Sequence, residues 1–299
     1  MAKLSFEDQI QSNKIKSFLL IAIIFVFFLI LGYVIAALLD PSYFFVVMII
    51  SIIFSIGYVL FSYYNSDKIA LASVRAKPAL RIQYATFYNA AENMAIASGL
   101  PMPKLYLMES SQINAFASGR DPEHAVICAT SGALEKLSKQ ELEGVIAHEM
   151  SHIANYDVRY MTLTAVMIGM ISIIAEIFLR SLWLTDSRDR DNRGQAILII
   201  IGILFSILAP IAAQLVSLAL SRKREFLADA TGVKFTRYPP GLASALRKIK
   251  KEHTNEEEKR RFPKAVAPLF ISDPLKKKIT NLLSTHPDIN ERINRLENM

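Results

Sequence analysis

Residues Phe18 to Leu39 and Tyr43 to Tyr64 carry no charged side chain, and only Asp40-Pro41-Ser42 separates them. Each run is long enough to cross the ~30 Å hydrocarbon core of a bilayer as a helix. In lipid the backbone amides must be satisfied inside the segment, so the two runs are expected to be helices joined by a tight polar turn, a membrane hairpin. Two further apolar runs, Met161 to Leu184 and Ala196 to Leu220, make a second hairpin. The fourth run has no charge. The third holds Glu176 and Arg180, which can pair at i, i+4, and is the weakest of the four. With 52% hydrophobic residues among 299, the chain is too apolar for an ordinary soluble protein.

Lysine and arginine set the orientation. Lys3, Lys14 and Lys16 precede the first run, Lys68, Arg75, Lys77 and Arg81 follow the second, and the first loop has none. The positive-inside rule puts the N-terminus and the region after the second run in the cytoplasm. Arg188, Arg190 and Arg193, between the third and fourth runs, weigh against that assignment. The first run is too long for the core of a cleaved signal peptide and no small-x-small site closes it, so it reads as a retained anchor. The net charge is +7, but the basic residues gather beside the runs and between Arg247 and Arg261. Anionic lipid headgroups account for them, and no basic patch with interleaved aromatics points to nucleic acid. The single cysteine, Cys128, excludes an internal disulfide and fits a reducing compartment. Its apolar surroundings read as those of a packed thiol.

Residues 1 to 17 read as a polar or weakly amphipathic arm. Residues 65 to 98 are helical in pattern, with Tyr84, Phe87, Tyr88, Ala91 and Met94 at helical spacing, and Gly99 to Pro103 is a break. Lys104 to Met108, Asn114 to Gly119 and Ala125 to Thr130 read as short strands of a small sheet. Ser138 then caps a helix, with Glu141 as its capping-box partner.

That helix carries His148-Glu149-Met150-Ser151-His152. Residues four apart lie about 40° apart around a helix axis, so both imidazoles reach one metal ion from adjacent turns. Glu149 stands where its carboxylate faces a water beside the metal, and the pattern supplies two zinc ligands and a general base on one turn. A catalytic zinc needs a third protein ligand, for which Glu225, Asp229, His253 and His286 are the downstream candidates. Glu225 and Asp229 share a helix face; one carboxylate can bind the metal while the other orients a ligand imidazole. The third and fourth runs return the chain to one side of the membrane, so both halves of such a site can meet.

Together these motifs resemble those of the HtpX-type heat-shock membrane metalloproteases, relatives of the CAAX prenyl endopeptidases. The resemblance rests on the His-Glu-x-x-His helix, Asn114-Ala115-Phe116-Ala117, Ser-Arg-x-Arg-Glu-x-x-Ala-Asp from 221 to 229, and Thr285-His286-Pro287 followed by Glu291-Arg292-Ile293. It covers nearly the whole chain; Asp288 stands where the family often has a second proline. It implies a mainly α membrane protein, with four transmembrane helices and a cytoplasmic α+β zincin-like domain with a small β-sheet. The parts are 1–64 (arm and first hairpin), 65–160 (first part of the catalytic domain), 161–220 (second hairpin) and 221–299 (its second part). It further implies one Zn²⁺ held by His148, His152 and Glu225, Glu149 as base, and Asp229 left to orient an imidazole. It places the protein in a bacterial plasma membrane, both termini cytoplasmic, cleaving misfolded or excess membrane proteins. Substrate is then expected as an extended strand beside Asn114, Ala115, Phe116 and Ala117. His286 is implied either to stabilise the oxyanion, with Arg292 orienting it or reaching the intermediate, or to cap the resting metal.

Two alternatives compete. A CAAX-type prenyl peptidase encloses a large chamber with more spans than four. A non-catalytic scaffold or chaperone stabilised by zinc has no use for Glu149. The sequence sets no oligomeric state.

Overall fold

A computed structural model of the chain describes residues 6–38, 41–167, 169, 171, 222–252, 266–272 and 287–299. The first hairpin is present: helix α1 (Phe6–Leu38), a short turn at Pro41–Tyr43, and helix α2 (Phe44–Tyr64). Ile10–Ala37 and Pro41–Tyr64 are long and apolar enough to span a bilayer. Phe18, Phe45 and Ile53 point outward, exposed in the protein alone, as lipid-facing side chains do. Inward, Phe28 stacks edge-on against Phe54 with ring centres 5.1 Å apart. Gly32 lets the helices cross closely, because a Cβ there would overlap Ser51.

The N-terminal arm, from Phe6 onward, is helical and continuous with α1. No proline or glycine interrupts the chain between Phe6 and Gly32. Helix begins again at 157, ahead of the predicted Met161, and 161–167, 169 and 171 are helical. Tyr160, Leu163 and Met167 pack on Leu20, Ile24 and Phe28, and the Tyr58 hydroxyl donates to the Met167 carbonyl at 2.7 Å. The rest of the third predicted span, with Glu176 and Arg180, and all of the fourth lie outside the described residues.

Residues 65 to 98 are mostly helical, as their pattern predicts, with a short strand between two helices. α3 (Ser66–Ser73) ends before β1 (Lys77–Pro78), and α4 (Ala85–Ser98) follows. Pro78 forbids helix there and sits at a sheet edge, where its missing N–H is harmless. The three predicted strands form as β2 (Lys104–Met108), β3 (Ala115–Ser118) and β4 (Val126–Thr130). The sheet order is β1-β2-β4-β3, with β2 and β4 parallel and both edge strands antiparallel. Every residue of β4 is buried, and burial pushes the Cys128 thiol above the usual range.

The Thr130 side chain caps α5 (Ser131–Lys136), and Ser138 and Glu141 form the predicted capping box of α6 (Lys139–Ala154). Leu142, Ile146, Met150 and Ile153 of α6 share one core with Phe87, Leu105, Ile127 and Leu246. Three later helices close the domain: α7 (Arg222–Thr236), α8 (Pro239–Lys251) and α9 (Ile289–Glu297). α7 crosses α6 at Gly232, where a Cβ would stand 3.1 Å from the His148 amide nitrogen. That closeness brings the acidic face of α7 onto the two histidines.

Candidate metal centre

α6 and α7 together place His148, His152 and Glu225 in one buried cluster, with one ligand atom from each within 4.8 Å of the others. The two Nε2 atoms face each other at 3.3 Å, and each stands 3.6 Å from a Glu225 carboxylate oxygen. Tetrahedral ligands about 2.0–2.1 Å from a zinc ion are themselves about 3.3 Å apart, which matches the imidazole spacing. The outer ring nitrogens are both taken by carboxylates. His148 Nδ1 lies 2.9 Å from Asp229 Oδ1, and His152 Nδ1 lies 3.2 Å from Asp157 Oδ2. With both Nδ1–H groups so engaged, two Nε2 lone pairs and a carboxylate converge on one point, and a cation resolves that convergence.

Buried arginines compensate these carboxylates. Arg292 grips Asp229 with Nη2 at 2.7 Å and Nε at 2.9 Å, and Arg224 Nε lies 3.1 Å from Asp157 Oδ1. Burial works against a charged His148, but Asp229 and Glu225 outweigh it and push its pKa up to about 9. Burial likewise opposes ionised Asp229, yet Arg292 and His148 hold it below the usual carboxylate range.

Glu149 is buried beside the cluster. Its Oε1 has no hydrogen-bond partner among the described residues. Burial raises its pKa, with Glu225 adding to the effect. Such an oxygen is poised to accept a proton from a water beside the metal.

The expected substrate strand is the outer edge strand β3, but that edge already has an occupant. Phe270 bridges Phe116, Ile271 N–H donates to the Ala115 carbonyl at 2.9 Å, and the Asn114 side chain bonds the Ser272 carbonyl at 2.8 Å. Arg292 Nη1 donates to the Ile271 carbonyl at 3.1 Å. Thus the guanidinium predicted to serve His286 rests on Asp229 and Ile271. His253 and His286 lie outside the described residues. Sequence reasoning missed Asp157, Arg224, Asn13 and the 270–272 segment. Arg224 and Asp157 carried a signal, since each is a charge next to, or five residues from, a ligand.

A His-Glu-x-x-His helix crossed by a helix that brings a buried glutamate onto both histidines is the arrangement of a metallopeptidase site. The model of Peptidase family M48 matches residues 83–299. A protease HtpX homolog from Thermoanaerobacter pseudethanolicus is 47% identical over 251 residues, 83% of each chain. One from Dictyoglomus thermophilum is 41% identical over 299 residues, covering 100% of this chain and 96% of its own. The crystal structure of S. mikatae Ste24p aligns over 96% of this chain and 66% of that chain, at 18% identity and a TM-score of 0.48. The chain belongs to peptidase family M48, as a membrane-associated metalloendopeptidase.

Proposed function

We propose that the protein is a zinc-dependent endopeptidase that cleaves misfolded or excess membrane proteins on the cytoplasmic side of a bacterial plasma membrane. The observation that carries this reading is the lone Glu149 Oε1 beside the His148, His152 and Glu225 cluster. The lipid-facing hairpin and the lysines and arginines flanking it support a multi-pass protein with a cytoplasmic catalytic domain.

His148, His152 and Glu225 would hold a zinc ion, which would supply Lewis acidity to a water and to the scissile carbonyl. Glu149 takes the proton of the attacking water on Oε1 and passes it to the leaving amine. Its raised affinity for a proton suits both transfers. Asp229 and Asp157 hold the ligand imidazoles in one tautomer. The substrate strand takes the place along Asn114 to Ala117 that Phe270 to Ser272 hold in the structure. His286 stays the candidate oxyanion donor on sequence grounds.

The test compares wild type with Glu149→Gln, purified in detergent, with a loosely folded protein such as casein as substrate. The amide keeps the shape but cannot take the proton, so Glu149→Gln is expected to retain zinc by metal analysis and lose cleavage. Cleavage by zinc-loaded Glu149→Gln overturns the role of Glu149, and a zinc-free wild type overturns the metal assignment.

A further inference from the structure

We propose that Asp157 and Asn13 position His152 as a metal ligand, so that the polar end of the first membrane helix belongs to the support of the metal centre. The inference rests on the metal-centre reading above.

Chain geometry delivers Asp157 to its place. α6 ends at Ala154, the backbone turns through Tyr156 at φ 57°, and the next helix begins at 157. That turn folds Asp157 back under His152, with its Oδ2 3.2 Å from Nδ1. Asp157 is 1% exposed, so its charge and every lone pair need partners from the protein. Arg224 supplies the charge at Oδ1. The remaining fixed donor comes from far away in sequence: Asn13 Nδ2 donates to Asp157 Oδ1 at 2.7 Å, across 144 residues. The same amide nitrogen donates to the Asn155 carbonyl at 3.0 Å, so both of its hydrogens are spent on the turn that carries Asp157. Asn13 is itself 4% exposed, although it lies in what reads in sequence as a polar arm.

The arrangement repeats, on the second histidine, what Asp229 does for the first. A ligand imidazole binds metal best when its other nitrogen donates to a fixed carboxylate, which sets tautomer, ring plane and basicity. Asp229 is fixed by the forked guanidinium of Arg292. Asp157 has Arg224 and, in addition, the Asn13 amide on its Oδ1. Removing Asn13 takes away a buried donor to Oδ1 and the tie between Asp157 and the Asn155 carbonyl, so the carboxylate is held less firmly on the line to Nδ1. A rival account makes Asn13 only a fastener of α1 to the domain.

The experiment measures zinc affinity by chelator competition, and the visible spectrum of the cobalt-substituted protein, on full-length chains in detergent. Asp157→Asn is nearly isosteric and is expected to weaken zinc by about 10–100-fold and alter the cobalt spectrum. Asn13→Ala is expected to weaken zinc by roughly 2–10-fold, the range of one lost buried hydrogen bond, with a smaller spectral change in the same direction. Tyr58→Phe is the control. It removes the buried bond to the Met167 carbonyl, farther along the helix that begins at 157, and leaves the Asn13 bonds to Asp157 and Asn155 in place, so its zinc affinity is expected to stay at the wild-type value. Wild-type affinity and spectrum in Asp157→Asn overturn the proposal. Wild-type affinity in Asn13→Ala, or an equal loss in Tyr58→Phe, overturns the part given to α1. Wild-type protein that binds no zinc fails the metal-centre reading instead, so the outcomes are separable.

Discussion

Replacing Arg292 with methionine isolates what a buried guanidinium does beside this site. Its side chain is 2% exposed, bonds Asp229 through two nitrogens at 2.7 and 2.9 Å, bonds the Ile271 carbonyl, and stands 3.6 Å from Glu225. Burial opposes its charge, and Asp229 chiefly, with Glu225, holds it ionised. Methionine fills much of the same space but strands the Asp229 carboxylate with only His148 to answer it. Breaking one side of a buried ion pair costs about 3–5 kcal/mol. For a domain of this size that lowers the unfolding temperature by roughly 6–20 °C. Arg292→Lys keeps the charge but loses the fork, and should fall between wild type and methionine. The double variant Arg292→Met, Asp229→Leu removes both charges and should recover most of the lost stability. It should still bind zinc about 10–100-fold more weakly, because His148 Nδ1 has lost its acceptor. Thermal unfolding in detergent and chelator competition read the two quantities separately. An unchanged unfolding temperature in Arg292→Met refutes the ion-pair reasoning. A double variant with wild-type zinc affinity refutes the positioning role of Asp229.

The raised pKa of His148 makes metal binding and apo stability respond oppositely to pH. In metal-free protein its imidazolium stabilises the fold fully below about pH 6.5, its ordinary pKa, and that contribution fades as pH rises through about 9. Zinc needs the proton gone, so binding at pH 7 should release about one proton, and apparent affinity should climb about tenfold per pH unit up to about 9. Calorimetry in buffers of different ionisation enthalpy checks this, and zero proton release contradicts it. Asn114→Ala removes the side-chain bonds that hold Ser272 against β3. If Phe270 to Ser272 occupy the substrate's edge, KM should fall roughly 2–10-fold with kcat preserved; a rise in KM means that Asn114 holds the substrate itself.

Features written into short stretches of sequence reappear in the structure with little change. The hairpin of Phe18 to Tyr64 is dictated by uninterrupted apolar length, since a bilayer leaves the backbone no alternative to helix. Ser138 and Glu141 form their capping box within a single turn. His148 and His152 converge because helical spacing alone brings them together. Even β2, β3 and β4 follow from local runs of apolar and β-forming residues.

What escaped the sequence is held across long separations. Asn13 meets Asp157 across 144 residues, Arg292 meets Asp229 across 63, and Asn114 meets Ser272 across 158. No periodicity or spacing links such pairs. In sequence, Asn13 could equally have been solvated. The motif determined which atoms could bind a metal and which carboxylate could act as base. Apart from Asp229, which helical spacing already put beside Glu225, tertiary structure decided which groups steady them, because a buried charge must find its partner inside the fold, and the partner is whichever side chain packing brings within hydrogen-bond distance.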